Sequence, residues 1–147
     1  MKLIGSLLII FASIISGHFY EKKLKSHIKN TDELSLLLIF IRDKINYFSM
    51  SVNDIFSKYQ TQNSFVQEII EGNPDFSVFD ENLSGEINDF FSTIGKGFKK
   101  EQLAICDSLI NKLSLYSEKL KIDFEKKVKT FRSLSLFLGL GTVILLI

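Results

Sequence analysis

Two runs of residues without a charged side chain stand at the ends of the chain. The first extends from Leu3 to Tyr20, and its roughly 18 residues would cover about 27 Å as a helix, close to the hydrocarbon thickness of a bilayer. The second extends from Ser133 to Ile147, and its roughly 15 residues would cover about 22 Å. We therefore predict transmembrane helices at residues 1–20 and 133–147, with a helical domain at residues 21–132 between them.

Each end also has an alternative interpretation. The N-terminal run, behind the single Lys2, resembles a cleavable signal peptide, but a cut after Gly17 would place the large Ile15 at a position that prefers a small residue. We therefore expect this segment to be retained as an anchor. The C-terminal run is short enough to be a buried terminal helix. We expect it to span the membrane, with the charges of Lys129 and Arg132 snorkelling to the interface.

The chain after residue 30 has apolar residues at helical spacing. Asn30 and Glu33 form a capping-box pattern that predicts a helix start. The apolar stripe that follows consists of Leu34, Leu37, Leu38, Ile41, Ile45 and Phe48. Further apolar residues widen the stripe, as expected of a helix that packs on more than one side; they are Leu36, Ile39 and Phe40. Because no glycine or proline lies between Gly17 and Asn30, this helix can also continue from the first anchor.

The middle of the domain shows shorter helices. Ser51 and Ser64 are predicted N-caps of two of them, and Gly72–Asp75 is the clearest loop in the chain. Residues 76–83 form a possible short helix, and Ser84 is predicted to cap the next one. A turn at Gly95-Lys96-Gly97 closes this region.

A long helical pattern begins at about Lys99. Its apolar residues step by three, four or seven without a glycine or proline, and they are Leu103, Cys106, Ile110, Leu113, Leu120, Phe124, Val128 and Phe131. This spacing predicts one helix that runs into the C-terminal apolar segment. Since no alternating strand pattern of useful length occurs, the predicted fold is all-α, a helical bundle between two transmembrane helices.

Basic residues flank both apolar segments on their inner sides. The flanking residues are Lys22, Lys23, Lys25, Lys29, Lys126, Lys127, Lys129 and Arg132. By the positive-inside rule both flanks belong to the cytosol, so we predict a cytosolic helical domain and both termini outside. The formal charge of the whole chain is only +1, and it gives no basic footprint for nucleic acid binding.

Acidic residues dominate the segment between residues 53 and 89, where Lys58 is the one basic residue. They are Asp54, Glu68, Glu71, Asp75, Asp80, Glu81, Glu86 and Asp89. We interpret them as a surface that docks a basic partner. The alternative is that they are only the solvated faces of helices.

Small residues recur within both apolar segments. One face of the first anchor carries Gly5, Ala12 and Ser16, and one face of the second carries Ser135, Gly139 and Thr142. Because small residues let two helix backbones approach closely, they are candidate packing sites between the anchors.

No residue pattern indicates catalysis, a cofactor or a metal. Cys106 is the one cysteine, and its expected role is that of a small buried apolar residue. His18 lies in an apolar segment, and His27 has no cysteine or carboxylate beside it at ligand spacing. Lys96 lies between glycines but lacks the rest of a phosphate loop. We expect a protein that is not an enzyme.

Several segments along the chain resemble a known family. They are Lys2-Leu3-Ile4-Gly5 with the apolar run to Gly17; Ile45-Asn46-Tyr47 leading to Val52, Ile55 and Phe56; Phe91, Ile94-Gly95 and Gln102; and Arg132-Ser133-Leu134 with Gly139 and Val143-Ile144-Leu145-Leu146. In order and spacing the chain resembles the stage III sporulation protein AB family of endospore-forming bacteria.

This resemblance implies a location and partners. It implies a subunit in the mother-cell membrane that faces the forespore, within a secretion-like complex that links the two cells. It also implies similarity to the cytoplasmic domains of the F component of type II secretion systems, which form a platform beside a cytosolic ATPase. The implied partners are an ATPase resembling stage III sporulation protein AA and other channel subunits. The alternative function is a membrane-anchored signalling or sensor subunit, for which the sequence shows no motif.

Overall fold

The computed structural model describes the backbone of residues 2–48 and 50–146, and the side chains of residues 15, 17–48, 50–131, 133, 134, 137 and 141. Within this part of the chain every regular element is an α-helix and no strand occurs, which confirms the predicted all-α class. The helices are α1 (Lys2–Phe48), α2 (Val52–Lys58), α3 (Ser64–Ile70), α4 (Glu81–Thr93) and α5 (Lys99–Leu146).

Helix α1 is continuous from Lys2 to Phe48, so the prediction that Asn30 caps a helix is wrong. No glycine or proline follows Gly17 on this helix, and the ladder of backbone hydrogen bonds therefore has no reason to stop at residue 30. The Asn30 side chain has another role, because its Oδ1 accepts a hydrogen bond from Nδ2 of Asn63 at 3.1 Å. The capping-box pattern here marks a contact between two parts of the fold.

The predicted stripe of α1 is confirmed in its central part and wrong at its margins. Its first five members are all buried, namely Leu34, Leu37, Leu38, Ile41 and Ile45. Phe48, at the end of the helix, is 63% exposed, and Leu36 and Ile39 are also exposed. The core therefore covers one side of α1, and the expectation that the helix packs on several sides is wrong for Leu36 and Ile39.

The starts of α2 and α3 follow helix-capping chemistry. Ser51 caps α2 as predicted, since its hydroxyl accepts a hydrogen bond from the backbone N–H of Asp54 at 3.3 Å. For α3 the predicted cap is off by one residue. Asn63, which is buried, accepts from the N–H of Val66 at 3.3 Å, and Ser64 is the first helical residue.

The segment between α3 and α4 is irregular, as predicted for Gly72–Asp75, but the short helix predicted from residue 76 to 83 is absent. Its aromatic residues instead act as anchors, because Phe76 and Phe79 are both buried in the core. Asp80 caps α4 by accepting from the N–H of Leu83 at 2.9 Å. The prediction that Ser84 is the cap is therefore wrong.

The chain divides into two compact units. One consists of Lys29–Glu118, and the other of Met1–Ile28 with Lys119–Ile147. In the first of these, α5 contributes Cys106, Leu109 and Leu113 to a core that also contains residues of α1, α2, α3 and α4. The predicted turn at Gly95-Lys96-Gly97 joins α4 to α5 and is confirmed.

Aromatic rings form much of this core. Phe65 of α3 contacts Phe76 and Phe79, with ring centroids 6.2 and 6.0 Å apart. Phe76 stacks on Phe91 of α4 at 5.8 Å, and Phe79 contacts Tyr116 of α5 at 5.9 Å. The two anchoring phenylalanines therefore fix the irregular segment against α3, α4 and α5 at once.

The other unit contains the first part of α1 and the last part of α5. The Phe131 ring lies so close to Gly17 that a methyl group added there would overlap it. The Lys25 ammonium forms an ion pair with Glu21 at 2.7 Å and lies 5.7 Å from the centre of the Phe124 ring. Helices α1 and α5 thus contact each other within this unit.

Among the described residues, no helix contains a segment both long and apolar enough to cross a membrane. Most side chains of the predicted spans at residues 1–20 and 133–147 lie outside the described set. The two spans, and the domain limits drawn from them, therefore stay predictions.

Candidate protein interaction surface

All eight acidic residues predicted to dock a partner lie in the unit Lys29–Glu118. Seven of them are exposed and Glu86 is half-buried. The set is distributed over α2, α3, the irregular segment and α4, and consists of Asp54, Glu68, Glu71, Asp75, Asp80, Glu81, Glu86 and Asp89. The segment between α3 and α4 carries three of them and α4 carries three. Phe76 of this segment contacts Phe65 of α3 and Phe91 of α4, which holds both helices against a common core.

Four of these carboxylates take part in local interactions. Asp54 accepts from the Ser51 hydroxyl at 2.6 Å, Asp80 caps α4, and Glu86 forms an ion pair with Lys112 at 2.5 Å. Hydrogen bonds from Ser77, with the backbone N–H at 2.9 Å, hold the pKa of Asp75 below its ordinary value. These residues stabilise the local structure, which reduces their availability to a partner.

The remaining four carboxylates, Glu68, Glu71, Glu81 and Asp89, are exposed, and none of their side chains forms an ion pair with another described residue. We call them the exposed acidic set. Because their charges are not neutralised within the described structure, they are the members of the predicted surface that a basic partner could best reach.

The predicted membrane-flanking lysines are exposed wherever their side chains are described. These are Lys22, Lys23, Lys25, Lys29, Lys126, Lys127 and Lys129. The side chain of Arg132 lies outside the described residues, and so do all six predicted packing residues, Gly5, Ala12, Ser16, Ser135, Gly139 and Thr142. The contact between the two anchors through small residues is therefore still a prediction.

Cys106 and His27 lie in surroundings that do not favour a chemical role. Burial, together with the neighbouring Asp107, raises the pKa of the Cys106 thiol to about 11, so the reactive thiolate is disfavoured. Burial lowers the pKa of His27, which keeps its imidazole neutral near pH 7. Within the described part of the chain, no cluster of three histidine, cysteine or acidic residues could hold a metal ion.

The structure also brings together residues that the sequence analysis does not connect with one another. Tyr47 and Phe48 at the end of α1 are 74% and 63% exposed, and Phe98 just before α5 is 78% exposed. The nearby lysines are Lys44, Lys96, Lys99 and Lys100. The sequence contains a signal for this surface, Lys-Gly-Phe-Lys-Lys at residues 96–100, which overlaps the turn predicted at Gly95-Lys96-Gly97 and lies outside the acidic segment.

Comparison with known proteins gives one family. The family model described as stage III sporulation protein AB matches residues 2–73. The chain has no significant match among curated proteins or among solved structures. The matched range covers α1, α2 and α3 and ends in the loop that follows α3. Residues 2–73 of the chain are thus similar to the stage III sporulation protein AB family, and this match confirms the resemblance seen in the sequence.

Proposed function

We propose that this protein is a non-enzymatic membrane platform subunit of a secretion-like complex that links mother cell and forespore, and that it docks a cytosolic ATPase. The family match implies a role in stage III of sporulation. The observation that carries the docking proposal is the exposed acidic set on α3 and α4, whose charges have no ion-pair partner among the described residues.

The charge pattern supports a basic docking partner. The segment from residue 53 to residue 89 contains eight acidic residues and one lysine, so its formal charge is −7. The aromatic contacts of Phe76 and Phe79 give α3 and α4 a fixed common support. Opposite charge on a partner would speed its association and favour it over wrong partners, and this effect would weaken as salt increases. The partner that we propose is an ATPase resembling stage III sporulation protein AA.

The unit that contains both ends of the chain supports the membrane proposal. Its exposed side chains include Ile15, Phe19, Leu134 and Phe137, which would be unfavourable in water if they formed a continuous surface. A groove of about 560 Å³ lies between α1 and α5 in this unit, and most of its surface is apolar, with Leu24, Phe124 and Phe131 among its lining residues. Exposed lysines lie after the apolar segment of α1 and before that of α5, an arrangement typical of the interface between lipid and cytosol.

The docking proposal is tested by neutralising the exposed acidic set in the full-length protein. Glu68→Gln, Glu71→Gln, Glu81→Gln and Asp89→Asn are combined in one variant. Binding to the purified ATPase, the stage III sporulation protein AA of the same cell, is measured by surface plasmon resonance at low and at high salt. We expect binding at low salt to weaken by about tenfold or more, since exposed charge pairs are each worth roughly 0.2–1 kcal/mol.

A matched control neutralises two exposed carboxylates elsewhere, with Glu118→Gln and Glu125→Gln. This control should bind the ATPase like the parent protein. Equal binding by the parent and by the fourfold variant at low salt would refute docking through the exposed acidic set. Absence of any binding between the parent protein and the ATPase would refute the platform function itself.

The membrane arrangement is tested by extraction and labelling. We expect the protein to stay in the membrane pellet after alkaline carbonate extraction. The Cys106→Ala background is expressed in non-sporulating cells, whose membrane faces the medium on its outer side. A membrane-impermeant maleimide should label Lys2→Cys in these intact cells but Lys58→Cys only after permeabilisation. Release by carbonate would contradict the anchors, and labelling of Lys58→Cys in intact cells would contradict the cytosolic domain.

A further inference from the structure

We propose that one end of the unit Lys29–Glu118 is a second docking surface, which binds an acidic segment of another protein through a salt-dependent and partly apolar contact. We call it the basic aromatic surface, and it consists of Lys44, Tyr47, Phe48, Lys96, Phe98, Lys99 and Lys100. Its charge is opposite to that of the exposed acidic set, so it requires a different partner surface. The inference therefore goes beyond the proposed function and does not depend on ATPase docking.

Hydrogen bonds hold the parts of this surface together. The Lys99 ammonium, at the start of α5, donates to the backbone carbonyl of Asn46 near the end of α1. The Gln102 side chain accepts from the N–H of Gly95 at 3.1 Å and donates to the carbonyl of Gly97 at 2.9 Å. The turn before α5 is thus fixed against α5, and the start of α5 is fixed against the end of α1.

The lysine charges of this surface are not neutralised by carboxylates. Lys96 donates to the carbonyl of Ser92 at 2.9 Å, and Lys99 also donates to a carbonyl. Lys44 lies 5.0 and 4.7 Å from the ring centres of Phe40 and Phe48, in cation–π contacts. Within the described structure, neither these three lysines nor Lys100 forms an ion pair.

The four lysines outnumber the carboxylates of Asp43, Asp54 and Glu101. Asp43 contacts Arg42 at 3.4 Å, and Asp54 accepts from the Ser51 hydroxyl. Glu101 follows the lysines on the first turn of α5, where a negative charge is favoured by the helix dipole. The surface therefore keeps a net positive charge, and the complementary partner is acidic.

Three exposed aromatic rings lie among these lysines, since Tyr47, Phe48 and Phe98 are all more than half accessible to solvent. Aromatic side chains are enriched at the centres of protein interfaces because each buries a large area with few rotatable bonds. Their exposure on a segment held by hydrogen bonds indicates a surface that a partner covers, rather than a poorly folded end.

A pocket that two lysines of this surface help to line indicates what the partner carries. It has a volume of about 370 Å³, and its apolar lining includes Ile45, Met50, Val52 and Ile94. Lys96 and Lys99 also line it. An apolar side chain in the pocket would place neighbouring carboxylates near the lysines. This combination favours an acidic protein segment with an apolar anchor over a nucleic acid or a lipid headgroup.

The test is site-specific photo-crosslinking of the full-length protein in the membranes of sporulating cells. p-Benzoylphenylalanine replaces Phe98, and in a control it replaces Leu115, which is 68% exposed on α5. Crosslinked peptides are identified by mass spectrometry. We expect an adduct at residue 98, absent at residue 115, with a peptide of another protein that combines acidic residues with an apolar one.

Charge dependence is tested in the same cells. Lys96→Gln with Lys100→Gln should lower the adduct yield by at least about threefold, because two exposed charge pairs are lost. The matched control, Lys119→Gln with Lys121→Gln, replaces two exposed lysines outside this surface and should leave the yield unchanged. Unchanged native-state reactivity of Cys106 toward a thiol reagent verifies that each variant is folded.

Several results would overturn the inference. They are the absence of an adduct at residue 98, an adduct with lipid, nucleic acid or a second copy of this chain, a peptide without acidic residues, and a yield that the lysine substitutions do not change. Neutralising the exposed acidic set should not affect this adduct. Failure here is therefore distinguishable from failure of ATPase docking.

Discussion

Leu36 and Leu37 are adjacent on α1 but have opposite surroundings. Leu37 is completely buried, and Leu36 is 53% exposed. Both lie in the middle of a helix, so a change to alanine has the same effect on intrinsic helix propensity at the two positions. Comparing Leu37→Ala with Leu36→Ala therefore measures the packing of the α1 core face with little contribution from anything else.

The expected magnitudes follow from burial. Replacing a fully buried leucine by alanine typically costs about 2–5 kcal/mol, because apolar contacts are lost and a cavity remains. For Leu36, about half of the side chain is already in water, so the expected cost is about 1 kcal/mol. The equilibrium constant for opening of the core should therefore increase by roughly 30- to 5,000-fold in Leu37→Ala and by about fivefold in Leu36→Ala.

Cys106 provides the assay, because it is the one cysteine and is fully buried in the same core. The labelling rate with a thiol reagent, measured at fixed pH on the full-length protein in mild detergent, reports how often the core opens. Equal rates in the two variants, or a rate in Leu37→Ala close to that of the parent, would refute the assigned core face.

Three further predictions concern single residues. Because burial raises the pKa of Cys106 from 9.0 to about 11, the folded protein keeps a proton that the unfolded chain releases. The free energy of unfolding should therefore fall by about 2 kcal/mol between pH 9 and 11, and a Cys106→Ala variant measured by urea unfolding should lack this part of the decrease. Gly95→Ala should destabilise the protein by about 1–3 kcal/mol, since φ of Gly95 is +87° and the new methyl group would lie 2.9 Å from Val52. Gly85→Ala, within α4 and with open space around it, should instead stabilise the protein by about 0.5–1 kcal/mol. If thermal unfolding showed stability changes of the same sign for both variants, the turn geometry would be contradicted. Asp80→Ala should lower the free energy of unfolding by about 1 kcal/mol, whereas Asp80→Asn should hardly change it, because asparagine also caps helices. If urea unfolding showed equal losses for the two variants, the charge of Asp80, and not its capping hydrogen bond, would stabilise α4.

The sequence predicts the helices well where their apolar spacing is long and regular. The central stripe of α1 is buried as predicted, and α5 forms one long helix from Lys99. Periodicity alone does not say how many sides of a helix are covered. For this reason the sequence predicts that Leu36 and Ile39 widen the packed stripe, although both are exposed. The extent of burial depends on which other helices pack against α1, which is information that lies elsewhere in the chain.

Local capping signals predict helix starts less reliably, because tertiary contacts determine which of the possible local structures forms. Asn30 has the sequence of a cap but binds Asn63, which is itself the cap of α3. The segment around Phe76 and Phe79 has helical spacing, yet both rings are buried as anchors of an irregular segment. In each case the competing local structures differ little in energy, and a long-range contact decides between them.

The two proposed docking surfaces differ in how far the sequence could predict them. The acidic residues are close enough together in the sequence to be noticed by counting charges. Only the structure separates Asp54, Asp75, Asp80 and Glu86, which stabilise local structure, from the exposed acidic set. The basic aromatic surface joins the end of α1 to the start of α5, which lie about fifty residues apart in the chain. Because its lysines bind carbonyls and rings while retaining their charge, the fold positions them without neutralising them. A partner of opposite charge would then supply the missing carboxylates, which is why a salt-dependent contact is the expected use of this end of the protein.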